Sequence, residues 1–414
     1  MKKVYIFGVG KGKGIVETCL KTENIHLKGY IDNNNSQYKN GINGLKVIGL
    51  EEIEEFDYIV ISVMNYKSVY EQLRKFGIDE RKIINFFSVE AINKFGNVSF
   101  LDVHKWKTEI LFWQHENKVI PYLNNVKYEI INEVQKQNLQ FPKIVSSDIA
   151  IEKMLTEKVS LSRFGDGEME LISGKKRNRY QEVDFVLQER LRKILISNNE
   201  KVLIAIADVY GSLDMYTEEA ANNIRVYMTE EIRREHMEVL DLEKEYYDTY
   251  ISRPYVIYKD KENAKNRFEK LRSIWTNREV LIVEGSYTRM GIGNDLLDNA
   301  KSVKRILAPS EDAFSKYDDI LNAVKQYGKD KVILIALGPT ATVLAYDLGC
   351  IGYQALDIGH LDLEYEWYRG GTGERFNISY KYVNEWLNGN EIDDSGWDRV
   401  EKNKYSKQII MHII

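Results

Sequence analysis

Cysteine is nearly missing from this 414-residue chain, which has only Cys19 and Cys350. That excludes a disulfide framework and a paired-cysteine metal signature, and it fits a reducing compartment. Proline is scarce too, with five residues, so Pro121, Pro142 and Pro254 stand out as breakers between elements. Long apolar runs are missing as well. The longest, "VILIAL" at Val332 to Leu337, is far short of a membrane span. The opening "MKKVYIFGVGKGKG" has an apolar run too short for a signal-peptide core. The chain is therefore expected to be cytoplasmic, with no transmembrane segment. A net charge of −5 gives no electrostatic reason to expect nucleic acid. One basic cluster, "KKRNR" at Lys175 to Arg179, stands out locally and reads more readily as a solvated loop than as a polyanion site.

What is present is an ordinary globular balance, 43% hydrophobic and 29% charged, in a chain long enough for two or three domains. "KKVYIFGVGKGKG" reads as a buried strand entering a glycine turn. The helix "IVETCLKT" and the strand "HLKGYIDNN" follow. The short strand "LKVIG", "FDYIVISV", the helix "YKSVYEQLRKFG" and "KIINFF" complete an alternation that predicts a parallel sheet with helical crossovers over 1–95. Residues 96–145, aromatic and charged, read as a helical connector. A second αβ series occupies 146–390, and 391–414 reads as a polar, uninformative tail. The fold class is α/β, with two Rossmann-like domains and mostly parallel sheets.

Gly8, Gly10 and Gly14 give G-x-G-x-x-x-G, one residue off the dinucleotide fingerprint, with Lys13 at the expected third glycine. Asp32 ends the second strand about where a ribose-binding acid would sit. This leaves open a nicotinamide-linked oxidoreductase or epimerase acting through the first domain, and equally a Rossmann-like domain without chemistry. The stretch from "IFGVGKGKG" through "GYIDNN", "GLKVIG" and "DYIVISV" to "EQLRKFGI" resembles the small Rossmann-like modules attached to polysaccharide-biosynthesis enzymes. That resemblance implies an accessory nucleotide or sugar-nucleotide site, or a docking role.

The second series carries a more specific pattern, "SRFGDGEME" at 162–170. Read as strand then extended loop, it would project Asp166 and Glu168 to one side, since residues i and i+2 share a face. Two hard oxygen donors suit Mn²⁺ or Mg²⁺, with a substrate phosphate completing the shell. Gly165 would leave room for a bulky ligand, and Arg163 could add a fork of donors. The same residues also fit a plain surface turn. "IALGPTATVLAYDLG" runs from a buried strand through Gly338 into a helix, with Thr340 and Thr342 as hydroxyl donors to an anion. It fits an ordinary capped βα turn as well. "EGSYTRMGIGND" places Arg289 and Asn294 in another glycine-rich turn, and strand ends in such sheets converge on one crevice. "YQALDIGHLDLEYEW" reads as the last strand and loop, and offers His360, Asp362 or Glu364 to deprotonate an acceptor hydroxyl.

Taken in order, "SLSRFGDGEMELI", "SRPY", "EVLIVEG", "RMGIGNDLLDNAKSVKRILAPSEDAFSKYDDIL", "LIALGPTATVLAYDLGCIGYQALDIGHLDLEYEW" and "KYVNE" resemble the GT-D type glycosyltransferases, over about 146–388. The resemblance implies a metal-dependent transfer of a sugar, glucose being expected, from a UDP-sugar to a glycan or glycoprotein acceptor in bacterial surface-glycan assembly. Its D-x-E motif falls on Asp166 and Glu168, implying that they hold the metal and the UDP diphosphate. Other glycosyltransferases, or a second copy of the chain, are compatible partners. A non-catalytic sugar-nucleotide-binding subunit of a transferase complex is the remaining alternative.

Overall fold

The computed structural model describes residues 1–64, 66–130, 139–174, 181–383, 385, 389 and 392–413. The basic cluster at 175–179 and the expected domain end at 390 lie outside the described residues. Contacts divide the described chain into two compact units, Met1–Pro121 and the residues from Tyr122 onward.

The first unit is a five-stranded sheet of β1 (Lys2–Phe7), β2 (Ile25–Ile31), β3 (Val47–Ile48), β4 (Tyr58–Ile61) and β5 (Ile83–Asn85). Its order is β3-β2-β1-β4-β5, and all neighbouring pairs are parallel. Both faces carry a packed core, so Val4–Phe7 of β1 and Ile59–Ile61 of β4 are apolar on both sides. Val4, Ile6, Val60 and Ile84 pack into one core, while Tyr5, Phe7, Ile59 and Ile61 pack into the other. The helix Val103–Gln114, within the segment read as a connector, belongs to the first of these cores through Trp106 and Ile110. Trp106 is fully buried, stacks on Phe86 and donates its indole N–H to the Phe86 carbonyl at 2.7 Å.

The second unit holds β6 (Lys143–Val145), β7 (Ser160–Phe164), β8 (Val202–Ile206), β9 (Glu245–Asp248) and β10 (Glu279–Gly285). It continues with β11 (Ser302–Ala308), β12 (Val332–Ala336), β13 (Gln354–Asp357) and β14 (Ile409–His412). The order is β14-β11-β10-β12-β13-β7-β8-β9-β6, again with parallel neighbours throughout. Every strand therefore ends at the same edge, and the connecting loops gather there. The β13–β7 junction is thin, with one paired position, Leu356 to Leu161. Side chains reinforce it. Ser160 Oγ donates to the Tyr353 carbonyl and accepts from the Ala355 N–H, each at 2.9 Å.

Three segments depart from the sequence expectation. "GDGEMELI" is the helix Asp166–Ile172, and "LDLEYEWYRG" is the helix Leu361–Gly370. The tail is ordered too, with the helix Arg399–Gln408 leading into β14, which extends the sheet beside β11. No helix among the described residues is long and apolar enough to cross a membrane.

Candidate active site

A cleft of about 530 Å³ opens at the strand C-termini of the second unit. That volume is typical of a small-molecule site, and the C-terminal edge of a parallel sheet is where such sites form. The loops after β7, β12 and β13 contribute Asp166, Gly338 and His360 to its lining. Tyr210, Tyr227, Tyr250 and Tyr287 supply aromatic wall.

The paired acids reach this cleft by a different geometry from the one expected. An extended segment would have put Asp166 and Glu168 on one side, but they lie in the first turn of a helix, where positions i and i+2 diverge. The cause is a helix-start signal. Glu168 sits three residues after the N-cap Gly165 and accepts its N–H at 2.8 Å, and acids are favourable at a helix N-terminus. Asp166 is exposed at the first position, and both acids line the cleft. Burial pushes the Glu168 carboxyl up to about 7, against the Gly165 N–H, and the nearby charges of Asp357 and Asp166 push the same way.

Arg163 also lines the cleft, but its fork is engaged within the protein. Nε donates to the Asp357 carbonyl at 2.7 Å, Nη2 to Asp357 Oδ1 at 2.8 Å and Nη1 to Ser252 Oγ at 2.7 Å. It fastens β7 to β13 directly beneath the acids. Gly338 caps the helix Pro339–Cys350 with φ +54°, a conformation that favours glycine, and aims that helix N-terminus at the cleft edge. Thr340 and Thr342 on that helix are fully buried outside the lining. Thr340 donates to Gln181 at 3.2 Å and Thr342 to the Arg163 carbonyl at 2.9 Å, so the first ties the helix to a loop and the second ties it to β7.

The remaining candidates separate clearly. His360 lines the cleft, its Nε2 3.5 Å from Glu385. Asp362 borders it as well, but its carboxylate accepts from the Gly291 N–H and Asn294, each at 2.8 Å, and pairs with Lys381 at 2.7 Å. Glu364 is fully buried outside the lining and accepts the N–H groups of Tyr255 and Val256 at 3.0 and 2.9 Å. Asn294 bridges Asp362 and Glu366. Arg289 pairs with Asp394 at 2.5 Å and lies over the Trp397 ring. Neither Asn294 nor Arg289 is in the lining, so these residues build the wall behind the cleft.

Sequence reasoning gave no role to Arg253, Arg375 and Glu385, which line the same cleft. Arg253 in "SRPY" and Glu385 in "KYVNE" lay inside recognised blocks, and an arginine directly before a proline was the available signal.

The region that carries these features also matches known proteins. A family profile described as the glycosyltransferase GT-D fold matches residues 161–386. The chain belongs to the GT-D fold glycosyltransferases. Among solved members, "A New Glycosyltransferase (DUF1792) from Streptococcus sanguinis" is 36% identical with a TM-score of 0.61, covering 66% of this chain and all of that one. "The highly conserved domain of unknown function 1792 has a distinct glycosyltransferase fold" describes another, 35% identical with a TM-score of 0.60, covering 66% of this chain and 96% of that one. Curated GT-D relatives include "Probable glycosyl transferase Gly" of Streptococcus gordonii, 38% identical across 65% of this chain and 40% of its own length. "Glycosyltransferase GlyD" of Streptococcus pneumoniae serotype 4 is 33% identical across 73% of this chain and 36% of its own length. The chain thus spans less than half the length of these relatives. Residues 1–84 match a separate family, C2185-like N-terminal.

In that first unit the glycine turn works differently from the fingerprint reading. Close approaches occur at Gly8, where an added Cβ would fall 2.7 Å from Val63 Cγ2, and at Gly12, 2.0 Å from the Ser62 carbonyl oxygen, while Gly10 and Gly14 face open space. Asp32 accepts the Val9 N–H at 3.2 Å and the Asn34 N–H at 2.9 Å, bracing the turn itself.

Proposed function

We propose that the second unit transfers a sugar, glucose being expected, from a UDP-sugar to a glycan or glycoprotein acceptor in the cytoplasm, with Mn²⁺ or Mg²⁺ as cofactor. The observation that carries this is the placement of Asp166 and Glu168 at the end of β7, on the wall of the strand-end cleft. Carboxylate oxygens suit a hard cation, with Asp166 exposed at the cleft and Glu168 lining it while its Oε2 accepts the Gly165 N–H. Among the described residues no group of three or more metal-binding side chains assembles, so two carboxylates would leave coordination for phosphate oxygens and water. The bound cation would neutralise charge on the departing diphosphate.

The protein's own groups supply the rest. The N-terminus of the helix Pro339–Cys350 favours an anion at the cleft edge. The tyrosine-rich wall suits a planar base. Of the three candidate bases, His360 has its imidazole at the cleft, while the Asp362 and Glu364 carboxylates are held by internal donors. His360 is therefore the group placed to take the acceptor proton.

The test is a panel of nucleotide sugars with and without Mn²⁺, scored for UDP release. Asp166→Ala is expected to bind UDP-sugar with turnover reduced at least about 100-fold, or some 2.7 kcal/mol in the barrier. Full transfer by that variant, or by wild type with all divalent metal chelated, would sink the metal assignment.

A further inference from the structure

Beside His360 on the cleft wall, Arg253, Arg375 and Glu385 form a cluster that the transfer chemistry above does not account for. Glu385 Oε1 pairs with Arg253 Nη2 and lies 3.5 Å from His360 Nε2, while its Oε2 is 2.5 Å from Arg375 Nε. The last contact is close but misaligned, and neither atom completes a hydrogen bond. Behind Arg253, the fully buried Glu364 presents Oε1 at 4.0 Å from Nη1, also without a hydrogen-bond donor. Arg253 thus has an inner carboxylate that cannot leave, since Glu364 is fixed by two backbone N–H groups. The outer carboxylate, Glu385, engages its partners imperfectly and is about one-fifth exposed.

We infer that Glu385 is a resident anion in a seat built for a phosphate group, held by Arg253 and Arg375 until a phosphomonoester or diphosphate displaces it. Two guanidinium groups facing one cleft match phosphate geometry better than a single carboxylate does, because a phosphate offers more acceptor oxygens to each planar fork. When Glu385 leaves, Glu364 still balances Arg253, so the seat does not collapse. Burial and the guanidinium charges of Arg253 and Arg375 act in opposition on Glu385, and the charges prevail, holding its carboxyl well below the usual range. The seat is therefore filled by a full negative charge across neutral pH. An incoming anion must compete with it, which makes Glu385 a selectivity device against weakly charged ligands.

This inference rests on reading the cleft as the site of a phosphate-bearing substrate, and its test uses neither metal nor turnover. Inorganic pyrophosphate is titrated calorimetrically into the full chain and its variants in chelator. Glu385→Gln is expected to bind about tenfold tighter than wild type, and Arg375→Gln about tenfold weaker. Glu385→Asp keeps the charge on a shorter arm and is expected to fall between wild type and Glu385→Gln, which provides a reading if the glutamine variant folds poorly. Competition by UDP would place the donor's diphosphate in the seat. UDP binding without displacement of pyrophosphate would assign the seat to a phosphate on the acceptor. Binding by Glu385→Gln or Glu385→Asp no tighter than wild type, or unchanged binding by Arg375→Gln, would overturn the inference. Loss of turnover in Asp166→Ala leaves these titrations unaffected, so the two readings fail separately.

Discussion

At the scale of single residues, the wall behind the cleft depends on Lys381. It is fully buried and pairs with Asp362 at 2.7 Å and Glu366 at 3.0 Å. Burial works against its charge, but the two acids outweigh burial and raise its pKa above the ordinary value. Lys381→Met should cost about 3–5 kcal/mol in urea unfolding, because it strands a buried carboxylate. Asp248 gives a pH signature. Burial raises its carboxyl from 3.8 to about 6, against a hydrogen bond from the Tyr250 N–H. Between those values the folded chain holds a proton that the unfolded chain has released. Stability from this group therefore falls as pH rises from about 4 to 6, with a slope of up to about 1.4 kcal/mol per pH unit. Asp248→Asn should flatten that slope in urea titrations run from pH 4 to 7, and an unchanged slope would refute the assignment.

At the scale of elements, the helix Pro339–Cys350 is pressed against β7 and β8. A Cβ at Gly349 would fall 2.5 Å from Val202 Cγ2 and 2.8 Å from Ser160 Cβ. Gly349→Ala gains about 1 kcal/mol of helix propensity but adds an overpacking cost of about 1–3 kcal/mol. The expected result is a lower melting temperature. The sheet elements were readable because two-sided burial writes them as unbroken apolar runs, such as "VLIAI" in β8 and "VILIA" in β12. The helix Leu361–Gly370 was hidden by its own pattern. "LDLEYEW" alternates apolar and polar residues like a strand, yet Asp362 and Glu364 are buried along with Leu361 and Leu363. Internal partners hold those acids, namely Lys381, Asn294 and backbone N–H groups contributed by distant segments, and local periodicity carries no trace of them. The same limit applies to the site. Asp166 and Glu168 announce themselves in seven residues, whereas Arg253, Arg375 and Glu385 come together only in the fold.

At the scale of the whole molecule, ligand linkage should be confined to one unit. Adding UDP and Mn²⁺ at 100 times the dissociation constant would stabilise the unit that binds them by about 2.7 kcal/mol. Hydrogen exchange should slow around Phe164–Met169 and at Leu337 and Gly338, while Gly8–Lys13 stays unchanged. Slowed exchange at Gly8–Lys13 instead would move nucleotide binding to the first unit. The junction of β7 and β13 bears on how such binding is transmitted. Eight interstrand junctions hold the larger sheet together, and this one relies on Ser160 and Arg163 where its neighbours rely on a backbone ladder. Mechanically the sheet is two panels sharing a spine, and the cleft lies over that spine. A ligand that spreads the panels strains these few side-chain stitches, and one that draws them together tightens them. The Ala355 amide, bonded to a hydroxyl rather than to a neighbouring strand's carbonyl, marks that spine at the start of the two strands.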